Sequence, residues 1–429
     1  MNPPPFLSRL SLPGWLVLAS AALTGPCAAQ AADHGVDNLR FSAFGTLGAA
    51  YVDAPAGWVY RREFSQPLNS QGTRFDLDSR LGLQVNYSPS AAIELVGQAN
   101  LRRRAPVAGP ADAVEWAFAA WRPNADWTLR LGRVNLDAFL MSDHRSVGFA
   151  YPYARPPTEF YAQLPSSLNG VDAAWVWNDG SAQWRAKVLA GHSRLSFDNS
   201  NTLDLRRVLG GMVSRESDGL LMRVSAFQAR LFFSAPPLQP LLAGLDGLAL
   251  LPVPGVAAQA GELRSRMTLD NAKPTYVSVG AQVDRNDWLL GGELVRVTGS
   301  VPVSFSAGYV SLGRRWGPVT VFGVAGHISR SSRPVAAPVW EGTLAPLIGP
   351  AAAQQAQFLG TSAATVVNSL SPKQSTLALG TRWDLGPRLA LKVQWDHIRV
   401  AENGSSLWGA GSTMATRANV GAVVLDFVF

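Results

Sequence analysis

The chain has 429 residues, of which 47% are apolar and only 16% charged, with a formal net charge of +7. This balance excludes a disordered chain and a basic nucleic-acid tail. A helical transporter is excluded too, because it needs several apolar runs of about 20 residues and only the amino terminus offers a clean one.

Forty glycines, fourteen tryptophans and one cysteine fit a protein of many short alternating strands. Arg9 precedes the apolar run Leu16-Val17-Leu18-Ala19-Ser20-Ala21-Ala22-Leu23, and the small residues of Ala28-Ala29-Gln30-Ala31-Ala32 follow. That is the three-part plan of a secretory signal, and the run is too short for a spanning helix. Cleavage after Ala31 is expected, with 1–31 as signal peptide and 32–429 as one β domain; Pro26 before Cys27 argues against lipidation. The exported chain then has no cysteine, so disulfides and Cys-ligated metals are excluded.

Residues 75–87 set Phe75, Leu77, Leu81, Leu83, Val85 and Tyr87 on one face and Asp76, Asp78, Arg80, Gln84 and Asn86 on the other, the period of a strand with one apolar and one ionic face. Similar runs at 39–52, 92–103, 113–122, 127–134, 170–177, 183–191, 204–213, 219–231, 275–284, 288–298, 302–312, 318–328, 374–385, 389–399 and 418–429 bring the total to about sixteen strands. Short turns such as 88–91, 123–126, 178–181 and 284–287 exchange with long connections at 53–74, 135–169, 232–274 and 329–373. Sorting of turns and loops to opposite ends is what a transmembrane antiparallel β-barrel shows, and a soluble sandwich has no reason for it.

Trp127, Trp184 and Trp288 each stand at or near the start of a strand that follows a tight turn, which reads as one aromatic girdle at a membrane interface. Arg185 and Lys187 alternate with Trp184, Ala186 and Val188, and Lys392, Gln394 and Asp396 alternate with Leu391, Val393 and Trp395. Such charges are costly in a sandwich core, whereas a water-filled lumen removes the cost. The chain ends on the alternating strand Val423-Val424-Leu425-Asp426-Phe427-Val428-Phe429.

The terminal aromatic strand, about sixteen strands and a long loop after the fifth resemble the Gram-negative outer-membrane porins over nearly all of the exported chain. The resemblance implies a loop that folds into the barrel and narrows it, basic residues on the wall facing acids on the loop, a homotrimer, and recognition of Phe429 by the barrel-assembly machinery. Leu131-Gly132-Arg133 matches the end of the fifth strand, which places Asp137, Asp143, Arg145, Tyr151, Tyr153 and Arg155 in the constriction loop, 135–169. Arg145 and Arg155 depart from the family's acidic loop and put a strong transverse field in doubt. The loops 232–274 and 329–373, rich in Ala, Leu and Pro, are expected to form short helices over the mouth or to plug it.

By parity the lumen collects Arg80, Arg102, Arg130, Arg185, Lys187, Arg223, Arg382 and Lys392 against Asp76, Asp78, Glu94, Glu115, Glu293, Asp384 and Asp396, with Arg133 at its edge. Uncompensated cations in a narrow channel favour anions, so a weak anion preference is expected, with Arg80 and Lys187 nearest mid-height. The alternative is that these bases pair with acids such as Asp78 or Glu115 and stiffen the wall.

Asp76-Leu77-Asp78 offers too few oxygens for Ca²⁺, and His192, His327 and His397 read as loop-end positions rather than as a metal or pH-sensing site. No cofactor is expected, and no nucleic-acid partner, since the charges are spread along the chain without an aromatic-flanked cluster. The reading is a passive diffusion channel for small hydrophilic solutes in an outer membrane of lipid and lipopolysaccharide. Its rivals are a substrate-selective channel for an anionic or aromatic nutrient and a closed barrel acting as an adhesin or hydrolase. Asp143-His144 has the residue types of an acid/base pair, but neighbours on an extended segment point apart, and neither Gly-x-Ser-x-Gly nor His-Glu-x-x-His occurs.

Overall fold

The computed structural model describes residues 38–67, 71–105, 108–197, 200–299, 304–331, 334–369, 372–404, 407–410 and 414–429. The expected signal peptide and Cys27 lie outside the described residues. Sixteen antiparallel strands close a barrel: β1 (Leu39–Asp53), β2 (Arg80–Ser90), β3 (Ile93–Arg102), β4 (Val114–Trp121), β5 (Trp127–Asn135), β6 (Ser167–Asp179), β7 (Ala182–Phe197), β8 (Asn201–Ser217), β9 (Leu220–Ser234), β10 (Thr275–Arg285), β11 (Trp288–Thr298), β12 (Phe305–Trp316), β13 (Val319–Arg330), β14 (Lys373–Gly386), β15 (Leu389–Val400) and β16 (Thr416–Val428).

Each strand pairs with its sequence neighbours, and β1 closes the ring against β16 from Phe44↔Val428 to Asp53↔Asn419. At the seam the Phe429 amide donates to the Ala43 carbonyl at 2.7 Å, and the Ala43 amide returns a bond to Phe429 at 3.0 Å. Closure satisfies the backbone along every strand, which is what a sheet needs in order to cross hydrocarbon. No described helix is long and apolar enough to cross a membrane; the strands do so.

The tight turns follow from local chemistry. Asn286 (φ 51°) and Asp287 (φ 65°) join β10 to β11, and Asp218 (φ 50°) with Gly219 (φ 75°) joins β8 to β9; both pairs supply the two left-handed positions that a two-residue hairpin matched to strand twist requires.

Outward residues such as Leu47, Leu131, Val188, Leu209, Leu294 and Val310 are exposed and form the apolar band. At its turn-side edge Trp127, Trp175, Trp177 and Trp184 stack as a ladder with centroid spacings of 6.0, 4.4 and 5.8 Å. Trp127 and Trp184, expected from their places after tight turns, both belong to it, and the exposed Trp288 stands beside the turn that opens β11.

The second strand corrects the expected bounds. Pairing starts at Arg80, not at residue 75, because Ser79 bonds back to the Phe75 carbonyl at 2.5 Å and turns the chain. The alternation therefore fails before Arg80: Leu77 points inward and is buried beside Trp58, Tyr60 and Trp408, while Asp76 leaves the wall to pair with Arg74.

Loops 235–274 and 331–372 do form helices: α1 (Gln239–Ala249), α2 (Pro254–Met267), α3 (Glu341–Ile348) and α4 (Pro350–Ser369). They bury their apolar stripes on one another, with Leu245, Ala260, Leu263, Trp340, Leu344 and Ala363 at the centre. Close approach is achieved by small residues, as at Gly360, where a Cβ would sit 2.6 Å from the Trp340 ring.

Candidate functional site

The chain between β5 and β6 leaves the wall at Leu136 and returns at Ser166, where the Leu136 amide donates to the Ser166 carbonyl at 2.9 Å. A loop with its ends pinched together must bury its own backbone somewhere, and this one does so inside the barrel. Successive turns at Phe139, Met141, His144, Val147 and Gly148 take up its amides. Its apolar side chains, Phe139, Met141, Tyr153, Phe160 and Tyr161, pack on the inward Phe227, Tyr276, Val295, Tyr309, Phe322 and Val324 of β9–β13. Those strands are apolar on both faces along part of their length, one face for lipid and one for the loop.

Polar contacts pin the same loop. Asp137 accepts from Arg223 at 2.5 Å and from Lys187 at 3.3 Å, with Arg185 at 3.8 Å. Arg155 forks onto Asp78 at 2.7 and 3.1 Å and also pairs with Asp396. Glu293 accepts from the Leu140 amide at 2.8 Å, from Tyr309 at 2.8 Å and from Tyr161. Lys392 donates to the Gly148 and Tyr153 carbonyls at 2.6 and 2.9 Å and pairs with Asp426 at 2.7 Å. Glu159 accepts from Gln374 at 2.6 Å and from Thr376; its burial outweighs these bonds and holds the carboxyl above the usual range.

Several residues expected to line an open lumen are thus covered by the loop. Lys187 is 2% exposed and Lys392 0%, and Asp78 and Arg80 are buried, with Arg80 bonded to the Tyr151 hydroxyl at 2.8 Å. Mid-height therefore does not give Lys187 the prominence expected of it, since the loop lies over it. Arg130 forks onto Asp172, and Arg382 onto Asp384 and the Phe149 carbonyl. On the loop, Tyr151 and Tyr153 stack at 6.1 Å and are buried, and Arg155 is neutralised by two acids. Asp143 meets Asn135 at 2.5 Å and Arg185 at 3.6 Å.

Arg102, Glu115, Arg133 and Arg145 come together elsewhere. They line a cleft of about 60 Å³ between the loop and the wall of β3–β7, with Arg104 and Arg194, Glu63 and Asp112, and the hydroxyl-bearing Ser166, Ser167, Ser193 and Ser196. Five arginines thus face three acids. Arg102 pairs with Glu63 at 2.6 Å, while Arg133, Arg104 and Arg145 donate to backbone carbonyls of Ala111, Asn100 and Leu164. Burial opposes charge on Glu63, yet Arg102 and Arg62 hold its pKa at about 2; burial and Arg102 bring Arg104 down to about 10. Both therefore remain charged at neutral pH. On the turn side of the loop a vestibule of about 390 Å³ is lined by His144, Tyr151, Tyr153, Asp284, Arg315, Arg382 and Asp384.

Sequence reasoning missed Glu63, Arg104 and Arg194 because they lie in loops or near strand ends, where parity stops. The run Arg102-Arg103-Arg104 is a visible signal for Arg104 alone. Asp172 and Asp426 were available by parity, each beside an outward Val171 or Leu425. Among the described residues no group of three or more His, Cys, Asp or Glu is placed to hold a metal ion.

A closed sixteen-stranded barrel with an outward apolar band, sorted turns and loops and an inward-folded loop has the architecture of a porin-like transmembrane barrel. Its fold is that of an anion-selective porin from Comamonas acidovorans (12% identity, TM-score 0.51, covering 91% of this chain and 100% of that one). The outer membrane channel DcaP of Acinetobacter baumannii (10%, 0.51, 91% and 97%) and a loop-deletion mutant of OmpT, an outer membrane protein of Vibrio cholerae (9%, 0.51, 91% and 99%), share it. No protein-family model matches the sequence, and no curated protein does. At these identities the likeness is one of fold.

Proposed function

We propose that this barrel is a passive outer-membrane diffusion channel that favours small anions, and that solutes pass through the arginine-lined cleft beside the loop. The observation that carries this reading is the excess of five arginines over three acids in the cleft, set against a loop that occupies the other side of the lumen. In a narrow passage with low-dielectric walls, fixed cations raise the local anion concentration and lower the entry barrier for anions. Guanidinium groups already tied to carbonyls keep donors free for a passing oxyanion. The anion-selective porin from Comamonas acidovorans has the same fold.

The cleft's small volume favours small anions over an aromatic nutrient. The same reading includes the signal peptide 1–31, a homotrimer, lipid and lipopolysaccharide around the band, and assembly through Phe429, whose place in the closing seam supports that last element. It involves no chemistry: Asp143 is engaged by Asn135 and Arg185, and burial lowers the pKa of His144 against the pull of Asp143. The test is conductance of the refolded protein in a planar bilayer, with reversal potential across a salt gradient. Stepwise openings with an anion-leaning potential are expected; a folded barrel without conductance, or with cation preference, overturns the reading.

A further inference from the structure

The vestibule on the turn side of the loop differs from the cleft in size and in charge. At about 390 Å³, against about 60 Å³ for the cleft, it falls in the range of small-molecule sites, roughly 300–1,000 Å³. Where the cleft sets five arginines against three acids, the vestibule holds two of each. Arg315 forks onto Asp284 at 2.6 and 2.7 Å, and Arg382 meets Asp384 at 2.7 Å. His144 adds no charge at neutral pH, because burial lowers its pKa. An ion of either sign is therefore attracted by one group and opposed by its neighbour.

Register brings the two pairs to one place. Arg315 stands opposite Thr320, and Thr320 opposite Arg382, so the two arginine positions are two strand spacings, about 10 Å, apart. Arg382 engages only Oδ1 of Asp384, which leaves Oδ2 an open acceptor among the described residues. The fork onto Asp284 leaves Arg315 with further N–H donors. Asp284 and Arg315 are 46% and 40% exposed, so the cavity opens to water at this edge. On the loop wall Phe149 and Pro152 are half-buried, as is Leu289 of β11, and Arg382 covers one face of Phe149 at 4.6 Å. Apolar surface is thus left wet in the same cavity as a free carboxylate oxygen and free guanidinium donors.

An occupant that satisfies all of these has a flat apolar body and carries both charges at one end. We propose that the vestibule is a binding site for an aromatic zwitterion of the α-amino-acid type, its ammonium on Asp384, its carboxylate on Arg315 and its ring against Phe149 and Pro152. Both polar bonds are charge-assisted, and offset or edge-on contact with Phe149 suits an aromatic body.

The inference rests on the barrel and its docked loop but not on conduction through the cleft. The test is equilibrium dialysis of radiolabelled L-tryptophan against the full exported chain refolded in detergent. Saturable binding by the wild type is expected, with affinity about tenfold lower in Asp384→Asn or Arg315→Gln, the loss of one charge-assisted bond. Gln282→Trp, which fills the cavity from an exposed position without changing charge, is expected to abolish binding. Tryptamine, indole-3-propionate and L-alanine, which lack the carboxylate, the ammonium and the ring, are each expected to displace the label at least about tenfold less well than unlabelled L-tryptophan. Unboiled gel mobility reports the folding of each variant, and wild-type conductance reports the channel, so a failed channel and an empty vestibule are told apart. No saturable binding, equal binding in every folded variant, or displacement by any of the three analogues as effective as by L-tryptophan would each overturn the proposal.

Discussion

The two sides of the lumen are built from the same kind of strand and handle the loop between them in opposite ways. On β9–β13 the inward positions carry Phe227, Tyr276, Val295, Tyr309, Phe322 and Val324, and the loop gains about 1.5–3 kcal/mol for each large side chain it buries there. On β3–β7 the inward positions near the mouth are arginine, glutamate and serine. No apolar gain is available on that side, and desolvating the guanidinium groups would be costly. The loop therefore docks on one wall and leaves a gap at the other. The position of the gap is thus decided by hydrophobic contact on the opposite side.

Breaking the docked side gives the largest effects. Arg155→Ala leaves Asp396 buried without its cation and Asp78 held by Arg62 alone at 3.3 Å. A loss of about 3–5 kcal/mol is expected, read as earlier heat-induced unfolding on unboiled gels together with larger, noisier conductance as the loop swings free. Phe160→Ala removes a fully buried ring packed on Phe139, Tyr161 and Tyr309. It is expected to lower stability by roughly 3 kcal/mol and to loosen the loop with no change in charge, so altered ion selectivity would contradict the assignment of this side to packing.

The open side responds in selectivity instead. Arg104→Glu with Arg133→Glu should move the reversal potential toward cations while changing unfolding free energy by no more than about 1 kcal/mol. An unmoved potential would place the ion path elsewhere.

Acid supplies the smallest and sharpest contrast. Glu63, on the open side, has its pKa held down at about 2 by Arg102 and Arg62 against burial. Its contribution is complete above the ordinary glutamate value and is lost as pH falls toward 2. Glu159, on the docked side, is pushed up by burial. Its contribution is largest in acid and is lost as pH rises through its raised value. Glu63→Gln is accordingly expected to reduce acid destabilisation of the barrel, and Glu159→Gln to be better tolerated at neutral pH than in acid, both measurable as Tm from pH 3 to 7. The same sign for both variants would remove the distinction.

Much of the barrel is legible along the chain. Outward and inward faces of β2 from Leu81 onward, of β7 and of β15 follow from alternation alone, and the girdle tryptophans and tight turns follow from their neighbours. The docked side is less legible, since Val295 and Phe322 on inward positions look like any other apolar strand residue until the loop that covers them is known. Leu77 misled for a related reason: the strand ends at Arg80, and parity has no meaning beyond the last paired residue.

By itself the sequence determined the strand period, the sorting of turns from loops, the membrane-facing band and the terminal strand that closes the ring, because each depends on residues a few positions apart. Only the tertiary structure decided which charges are free. Arg155 meets Asp396 across 241 positions and Lys392 meets the Gly148 carbonyl across 244. Parity can name Asp396 and Lys392 as inward but says nothing of the loop groups that they touch. Whether a lumen cation attracts a solute or clamps a loop depends on that contact, and the contact exists only once the loop has found the apolar wall.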